Sequence, residues 1–150
     1  MSSLPLCSPS AKMGGIVYFG RMLDKINAHA RGQLPAEYQP NLGIGFDGRC
    51  TAFLHVHYKQ LVDRVAQGGS DEEILEWCFL NGRRPNEDEI HVWNEFMRKC
   101  GWNDDITETL NRRKAESGMA ERAEIKTMFD YIDADEGLSG VADSDSGPKG

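Results

Sequence analysis

The stretch GGIVYFGRMLDKINAHAR, from Gly14 to Arg31, is the most apolar helix candidate in the chain. Its apolar residues recur at spacings of three and four, which places them on one face of a helix. These residues are Ile16, Phe19, Leu23, Ile26 and Ala30, and Met22 widens the stripe. Gly32 follows the last turn, where glycine commonly ends a helix. The stretch therefore predicts a helix that packs its apolar face against a core.

A compact charged set accompanies this apolar face. Arg21 and Asp24 are three residues apart, and Arg21 and Lys25 are four apart, so the three side chains occupy adjoining helix surface. One interpretation is a solvated charge cluster on the helix flank. The alternative is a partly buried Arg21–Asp24 pair that directs Lys25 toward a cleft, where its ammonium meets an anion or a carbonyl group.

Composition and charge restrict the class of protein. With 150 residues, of which 39% are hydrophobic and 27% charged, the chain is long enough for one domain with a sizeable core. A formal charge of −7 argues against a general nucleic-acid binder. Residues 1–50 hold five basic and three acidic side chains, whereas the other hundred hold twelve and twenty-one. The N-terminal third is therefore the better place for an anionic ligand.

The sequence contains neither a membrane span nor a signal-peptide pattern, and this bears on where the protein is located and on the redox state of its cysteines. No apolar run approaches the ~18–20 residues of a membrane span, and the N-terminus has no signal-peptide pattern. We therefore expect a cytoplasmic protein with neither membrane nor nucleic-acid partners, and no cofactor is indicated. The cysteines are predicted to be free thiols, two of them in the core. They are Cys7, Cys50, Cys78 and Cys100.

Apolar periodicity, helix caps and glycines predict an all-α fold of six or seven helices in a single domain over residues 12–136. No segment alternates convincingly as a strand. Residues 1–11 are expected to be a flexible lead-in, and residues 137–150 a disordered acidic tail. After the first helix, the predicted helices span approximately residues 48–54, 58–67, 70–81, 86–100, 103–117 and 119–134.

Two of these helices share a pattern at their N-termini and are predicted to form a helical hairpin. SDEEILEW begins at Ser70 and NEDEIHVW at Asn86. Each has a capping residue, acidic residues in the first turn, and a glutamate three residues after the cap. This is the pattern of a capping box.

The loop Gly32–Phe46 follows the first helix and is long for a compact domain, which is typical of loops that face ligands. Tyr38 is expected to pin it to the core. The sequence GIGFDG, residues 43–48, matches a dinucleotide-binding pattern, but no strand precedes it as such a site requires. A flexible loop with Asp47 as the N-cap of the next helix is the favoured interpretation.

Two weaker candidates for chemistry lie just beyond this loop. Cys50 stands near a predicted helix N-terminus beside Arg49, both of which favour a thiolate, and His55 or His57 could serve as its base. The two histidines could also hold a metal if the backbone there is extended. For Cys50, an inert buried thiol is the favoured interpretation. For the two histidines, no third ligand lies at a suitable spacing, so a metal site is not favoured.

Several of these strings together resemble a small bacterial family known only as a domain of unknown function, over about residues 13–136. The strings are Gly14-Gly15, Arg21-Met22-Leu23-Asp24-Lys25, Glu37-Tyr38, Phe46-Asp47 and Ser70–Trp77. The resemblance implies an all-helical, soluble bacterial protein and no particular activity. It places the signature of the family on Gly15, Arg21, Asp24 and Lys25. This chain has His55 and His57 where the family usually has Gly and Asp, which weakens a family-wide metal site there.

Two functions remain open. The first is a module that binds an anionic small molecule or a protein segment through the first helix and the loop after it. Its predicted binding residues are Arg21, Asp24, Lys25, Tyr38 and Asp47. The second is a small enzyme that uses Lys25 or Cys50 as nucleophile or base, oriented by Asp24 and Arg21. The absence of a complete catalytic set favours binding, and the oligomeric state stays open.

Overall fold

The computed structural model describes residues 6–138, which fold into seven α-helices, a 3-10 helix and one short hairpin. The elements are β1 Lys12–Met13, β2 Ile16–Val17, α1 Phe19–Ala30, the 3-10 helix Ala36–Asn41, α2 Phe46–Leu54, α3 Tyr58–Ala66, α4 Asp71–Asn81, α5 Glu87–Lys99, α6 Thr107–Glu116 and α7 Met128–Asp135. The prediction of a helical fold is confirmed. The predicted disordered tail lies, from residue 139 onward, outside the described residues.

The hairpin explains why α1 begins later than the apolar pattern predicted. Gly14 and Gly15 have φ values of 59° and 81°, which only glycine adopts readily, and they form the turn of the hairpin. Lys12 pairs with Val17 across it, and Met13 pairs with Ile16. The expectation that the chain contains no strand is therefore wrong for these four residues.

The first helix is the centre of the main core. Phe19, Met22 and Leu23 are completely buried, and α3 packs along this face. On the other side, α5 holds β2 through two polar side chains. Asn94 accepts from the backbone amide of Val17 at 3.0 Å, and the indole of Trp93 donates to the carbonyl of Val17 at 3.1 Å. These bonds satisfy backbone groups that a two-residue strand leaves unpaired.

Helices α4 and α5 begin with the capping boxes that the sequence predicted. The Ser70 side chain accepts from the amide of Glu73, whose carboxylate in turn accepts from the amide of Ser70. Asn86 and Glu89 form the same reciprocal pair at the start of α5. Both capping boxes are thus confirmed. None of the helices within residues 6–138 combines the length and hydropathy of a bilayer-spanning segment.

Two expectations at the ends of the chain are wrong. Residues 6–11 do not form a flexible lead-in, because Leu6 is buried against Ala28 and Leu34. The last helix begins at Met128 rather than near residue 119, and the residues before it form turns. These turns are fastened by the buried Lys114 ammonium, which donates to two backbone carbonyls at 2.9 Å each.

Candidate functional site

Arg21 and Lys25 of α1, and Tyr18 at its N-cap, face a cavity of about 400 Å³. Arg21 and Lys25 are four residues apart, so the helix brings them to one side, whereas Tyr18 joins them from a left-handed backbone position just before the helix. The 3-10 helix and the loop after it, α6 and α7 close the other sides. The apolar part of the lining is formed by Ile44, Phe46, Ile106, Met128 and Ile132.

Lys25, Asp47 and Tyr18 form a hydrogen-bonded triangle at the floor of this cavity. Nζ of Lys25 lies 2.8 Å from Oδ1 of Asp47 and donates to the Tyr18 hydroxyl at 2.9 Å. That hydroxyl donates to the same carboxylate oxygen at 2.7 Å. The other oxygen of Asp47 accepts from the amide of Gly43 at 3.0 Å. Asp47 has no solvent exposure, so these donors replace its hydration.

Burial determines how the members of the triangle titrate. It lowers the pKa of Lys25, and attraction to Asp47 offsets this only in part. Burial, followed by the Asp47 charge, raises the pKa of Tyr18 well above its ordinary value, so the phenol keeps its proton. An ammonium carries three protons. Tyr18 and Asp47 engage two of those on Lys25, which leaves the third for the cavity that Lys25 lines.

A second buried ion pair, Arg21–Glu136, forms part of the cavity wall. Both terminal nitrogens of Arg21 donate to the carboxylate of Glu136, and the Nη1–Oε1 distance is 2.8 Å. The Tyr38 hydroxyl donates to Oε2 of Glu136 at 2.7 Å. Burial lowers the pKa of Arg21, but the hydrogen bonds and charge of Glu136 outweigh it and raise the pKa overall. The pair fastens the end of α7 to α1 and to the 3-10 helix.

Tyr18 is held in an uncommon backbone conformation. Its φ of 74° lies in the left-handed region, which costs a non-glycine residue about 1–2 kcal/mol. Its ring packs against Phe46 and Phe129, with centroid distances of 5.7 and 6.3 Å. This conformation directs the phenol to Asp47 and Lys25 instead of continuing the helix. Strain that the surroundings maintain in this way is characteristic of functional sites.

The charged groups at the cavity are three cations and, counting Asp47, four carboxylates, so the set is slightly acidic. Arg21 and Lys25 each have a buried carboxylate partner, so neither presents an uncompensated charge. Three further charged side chains line the cavity, namely Arg113, Glu37 and Asp135. Burial, together with the nearby charges of Glu136 and Glu37, raises the pKa of Asp135. The cavity therefore has no strong preference for a multiply charged anion.

Three of the predicted binding residues, Arg21, Lys25 and Tyr38, line the cavity together. Asp47 lies directly behind Lys25 and is not the N-cap of α2, because that helix begins at Phe46 and Gly45 occupies the cap position. Asp24 does not join this group. Its carboxylate accepts from the backbone amide of Cys7 at 2.9 Å and does not line the cavity. The carboxylate partner of Arg21 is thus Glu136 rather than Asp24.

The weaker candidates are not brought into the cavity. Cys50 is completely buried in the main core, and burial and the Asp47 charge raise its pKa well above the ordinary value. Its sulfur is therefore an inert thiol and not the nucleophile considered above. His55 and His57 are exposed at the junction of α2 and α3. Within residues 6–138, no three histidine, cysteine or carboxylate side chains are grouped as metal ligands would be.

Sequence reasoning missed Tyr18 and Glu136. Tyr18 precedes Arg21 by three residues and Lys25 by seven, so the helical spacing that grouped the cations could also have included it. Glu136 lies 115 residues from its partner Arg21 and carries no local signal that would reveal the pairing. Only the docking of α7 brings it to the cavity.

The fold and the site thus define a small helical protein whose central helix presents a lysine, paired with a buried aspartate, to a partly open cavity. The chain belongs to the family described as Domain of unknown function (DUF5069), whose model matches residues 4–138. This confirms the expectation of a domain-of-unknown-function family, while the bacterial origin stays a prediction. A search of curated proteins finds no match.

Proposed function

We propose that the cavity binds a small organic molecule with an apolar body and a carbonyl or carboxylate oxygen, and that this oxygen accepts a hydrogen bond from Lys25. The observation that carries the proposal is that Lys25 lines the cavity while two partners contact its nitrogen, which leaves one N–H of the ammonium for a ligand. Asp47 and Tyr18 hold the other two protons at the cavity floor. A fixed donor in a mostly desolvated position orients an acceptor strongly.

The size and lining of the cavity support a small ligand. Its volume of about 400 Å³ falls within the range of small-molecule sites. Apolar side chains such as Ile106 and Ile132 can surround a hydrocarbon body, while Lys25 binds the polar end. The Lys25 side chain is only 8% exposed, so a small group reaches it more easily than a segment of another protein.

The pairing of both buried cations narrows the kind of anion that was expected. A phosphate would bring two charges to a site whose buried cations are already neutralised by Glu136 and Asp47. A single carboxylate or a neutral carbonyl needs only the remaining donor. We therefore place monocarboxylates and carbonyl compounds ahead of phosphorylated metabolites as ligands.

Three probes with the same aromatic body test this proposal. Benzoate and acetophenone present an acceptor oxygen, whereas toluene presents none. Binding to the full chain is measured by thermal shift and calorimetry. A hydrogen bond to a charged donor contributes about 1.5–3 kcal/mol. We expect the two acceptors to bind roughly tenfold or more tightly than toluene.

Two substitutions locate the binding. Thr109→Phe fills the cavity and leaves Lys25 in place, while Asn111→Phe makes a similar change on the exposed side of the same helix. We expect the first to abolish binding of benzoate and acetophenone and the second to preserve it. The proposal is wrong if a library of carbonyl and carboxylate fragments yields no ligand, or if binding survives Thr109→Phe.

A further inference from the structure

We propose that Lys25 acts as a nucleophile that forms an imine with an aldehyde or ketone bound in the cavity. This inference rests on the proposed function, because the carbonyl that accepts the hydrogen bond from Lys25 is also the electrophile. The geometry that supports it is the triangle at the cavity floor. A carboxylate that can take a proton and a phenol that can relay one both contact the same ammonium.

A second buried lysine shows what is particular about Lys25. Lys114 is equally buried, at 7% exposure, and its ammonium donates to the backbone carbonyls of Arg122 and Ile125. Those amide oxygens accept hydrogen bonds but are too weakly basic to take a proton. Lys25 instead contacts the carboxylate of Asp47, which can take one, and it borders a cavity. Lys114 shows that a buried lysine with a purely structural role needs neither a carboxylate partner nor a neighbouring cavity.

The reaction uses groups already in place. Asp47 accepts a proton from the Lys25 ammonium, and the free amine attacks the carbonyl carbon. A C–N bond forms, and the Tyr18 hydroxyl passes a proton from the attacking nitrogen to the carbonyl oxygen, which gives a neutral carbinolamine. Asp47 then returns its proton, through Tyr18, to the carbinolamine hydroxyl, which leaves as water while the nitrogen lone pair forms the C=N bond. An ammonium and a carbonyl compound thus become an iminium ion and water, with no oxidation or reduction.

The titration behaviour of Lys25 agrees with this role. Burial lowers its pKa even though Asp47 opposes the effect. The fraction of free amine at neutral pH rises about tenfold for each unit by which the pKa falls. The same burial keeps Tyr18 protonated and able to donate to the developing hydroxyl.

Reductive trapping tests the inference. The full chain is incubated with benzaldehyde and cyanoborohydride, which reduces an imine to a stable secondary amine, and the adduct is located by peptide mass mapping. We expect Lys25 to be modified roughly tenfold or more faster than the exposed Lys59. Lys25→Arg should remove this fast adduct, and the matched control Lys59→Arg should leave it unchanged.

Tyr18→Phe tests the proton relay separately from binding. The ring and its packing remain, but the bridging hydroxyl is lost. We expect the rate of trapping at saturating benzaldehyde to fall roughly tenfold or more, while the affinity for acetophenone changes much less. A structural role alone would not change the trapping rate at saturation while sparing binding.

The outcomes separate this inference from the proposed function. Suppose that acetophenone binds and that Thr109→Phe abolishes this binding, but that benzaldehyde modifies Lys25 no faster than Lys59. Imine formation is then refuted and the binding function stands. If neither ligand binds and no fast adduct forms, both are refuted. A fast adduct at Lys25 that Thr109→Phe prevents supports both.

Discussion

Removing both members of the Lys25–Asp47 pair should destabilise the fold by less than the sum of the two single removals. Lys25→Met leaves a fully buried carboxylate with only the Tyr18 hydroxyl and the Gly43 amide as donors. Asp47→Asn leaves a buried ammonium without its counter-charge. Breaking a buried ion pair from one side costs about 3–5 kcal/mol, because the other charge stays desolvated.

The double variant Lys25→Met/Asp47→Asn has no such orphaned charge. We expect it to lose less stability than the sum of the two single variants, with a coupling energy of about 2–3 kcal/mol. Total stabilities of about 5–15 kcal/mol make losses of this size a large share of the total, so the differences among the variants are well resolved. Urea denaturation followed by fluorescence of the three tryptophans gives each free energy of unfolding.

A surface pair provides the control for this cycle. Arg84 and Glu76 form an ion pair whose side chains are 57% and 50% exposed. The same cycle there should give a coupling of about 0.2–1 kcal/mol. A coupling at Lys25–Asp47 no larger than the surface value would refute the idea that two buried charges hold the cavity floor together.

Three further predictions concern the surroundings of the site. Burial raises the pKa of Asp133 to about 6, and its Oδ1 is the buried side-chain atom without a partner in the described residues. A raised pKa stabilises the fold at low pH, and this contribution is lost as pH rises from about 4 through about 6. Asp133→Asn should therefore stabilise the protein at pH 7 by about 2 kcal/mol and flatten its stability profile in that range, as denaturation at several pH values would show. Gly82→Ala should cost about 2 kcal/mol or more in the same assay, because its Cβ would lie 2.0 Å from the Leu54 carbonyl oxygen. Glu136→Gln removes the charge partner of Arg21 and should accelerate amide hydrogen exchange in α7 while exchange in α4 is unaffected. Exchange in α7 that is no faster in the variant than in the unsubstituted protein would contradict this.

Local signals account for the parts of the fold that could be predicted. The capping boxes at Ser70 and Asn86 and the apolar stripe of α1 act over three or four residues, which is the range that a sequence pattern shows directly. The hairpin before α1 was missed because Ile16 also fits the helical stripe. Its strands are too short to alternate. The turn segment before α7 was missed because its stability comes from the Lys114 side chain rather than from its own pattern.

The site could be predicted only in part for the same reason. The sequence indicated Arg21 and Lys25, because both stand on one strongly periodic helix. It indicated the wrong carboxylate for Arg21, because Asp24 is close along the chain whereas Glu136 is close only in space. Asp47 was singled out as a helix cap and as a binding residue, but its pairing with Lys25 was not predicted, since nothing in its sequence neighbourhood reveals the ammonium that it meets.

The charges on α1 are better explained by function than by stability. Two buried ion pairs are often no more stabilising than well-packed apolar residues of similar volume, so Arg21 and Lys25 give the central helix no advantage over an apolar flank. The left-handed backbone at Tyr18 adds a further cost, and it is not needed to begin a helix. All three residues face one cavity, and their carboxylate partners come from distant parts of the chain. Several energetically unfavourable features that converge on one space are expected where a protein holds polar groups ready for a ligand.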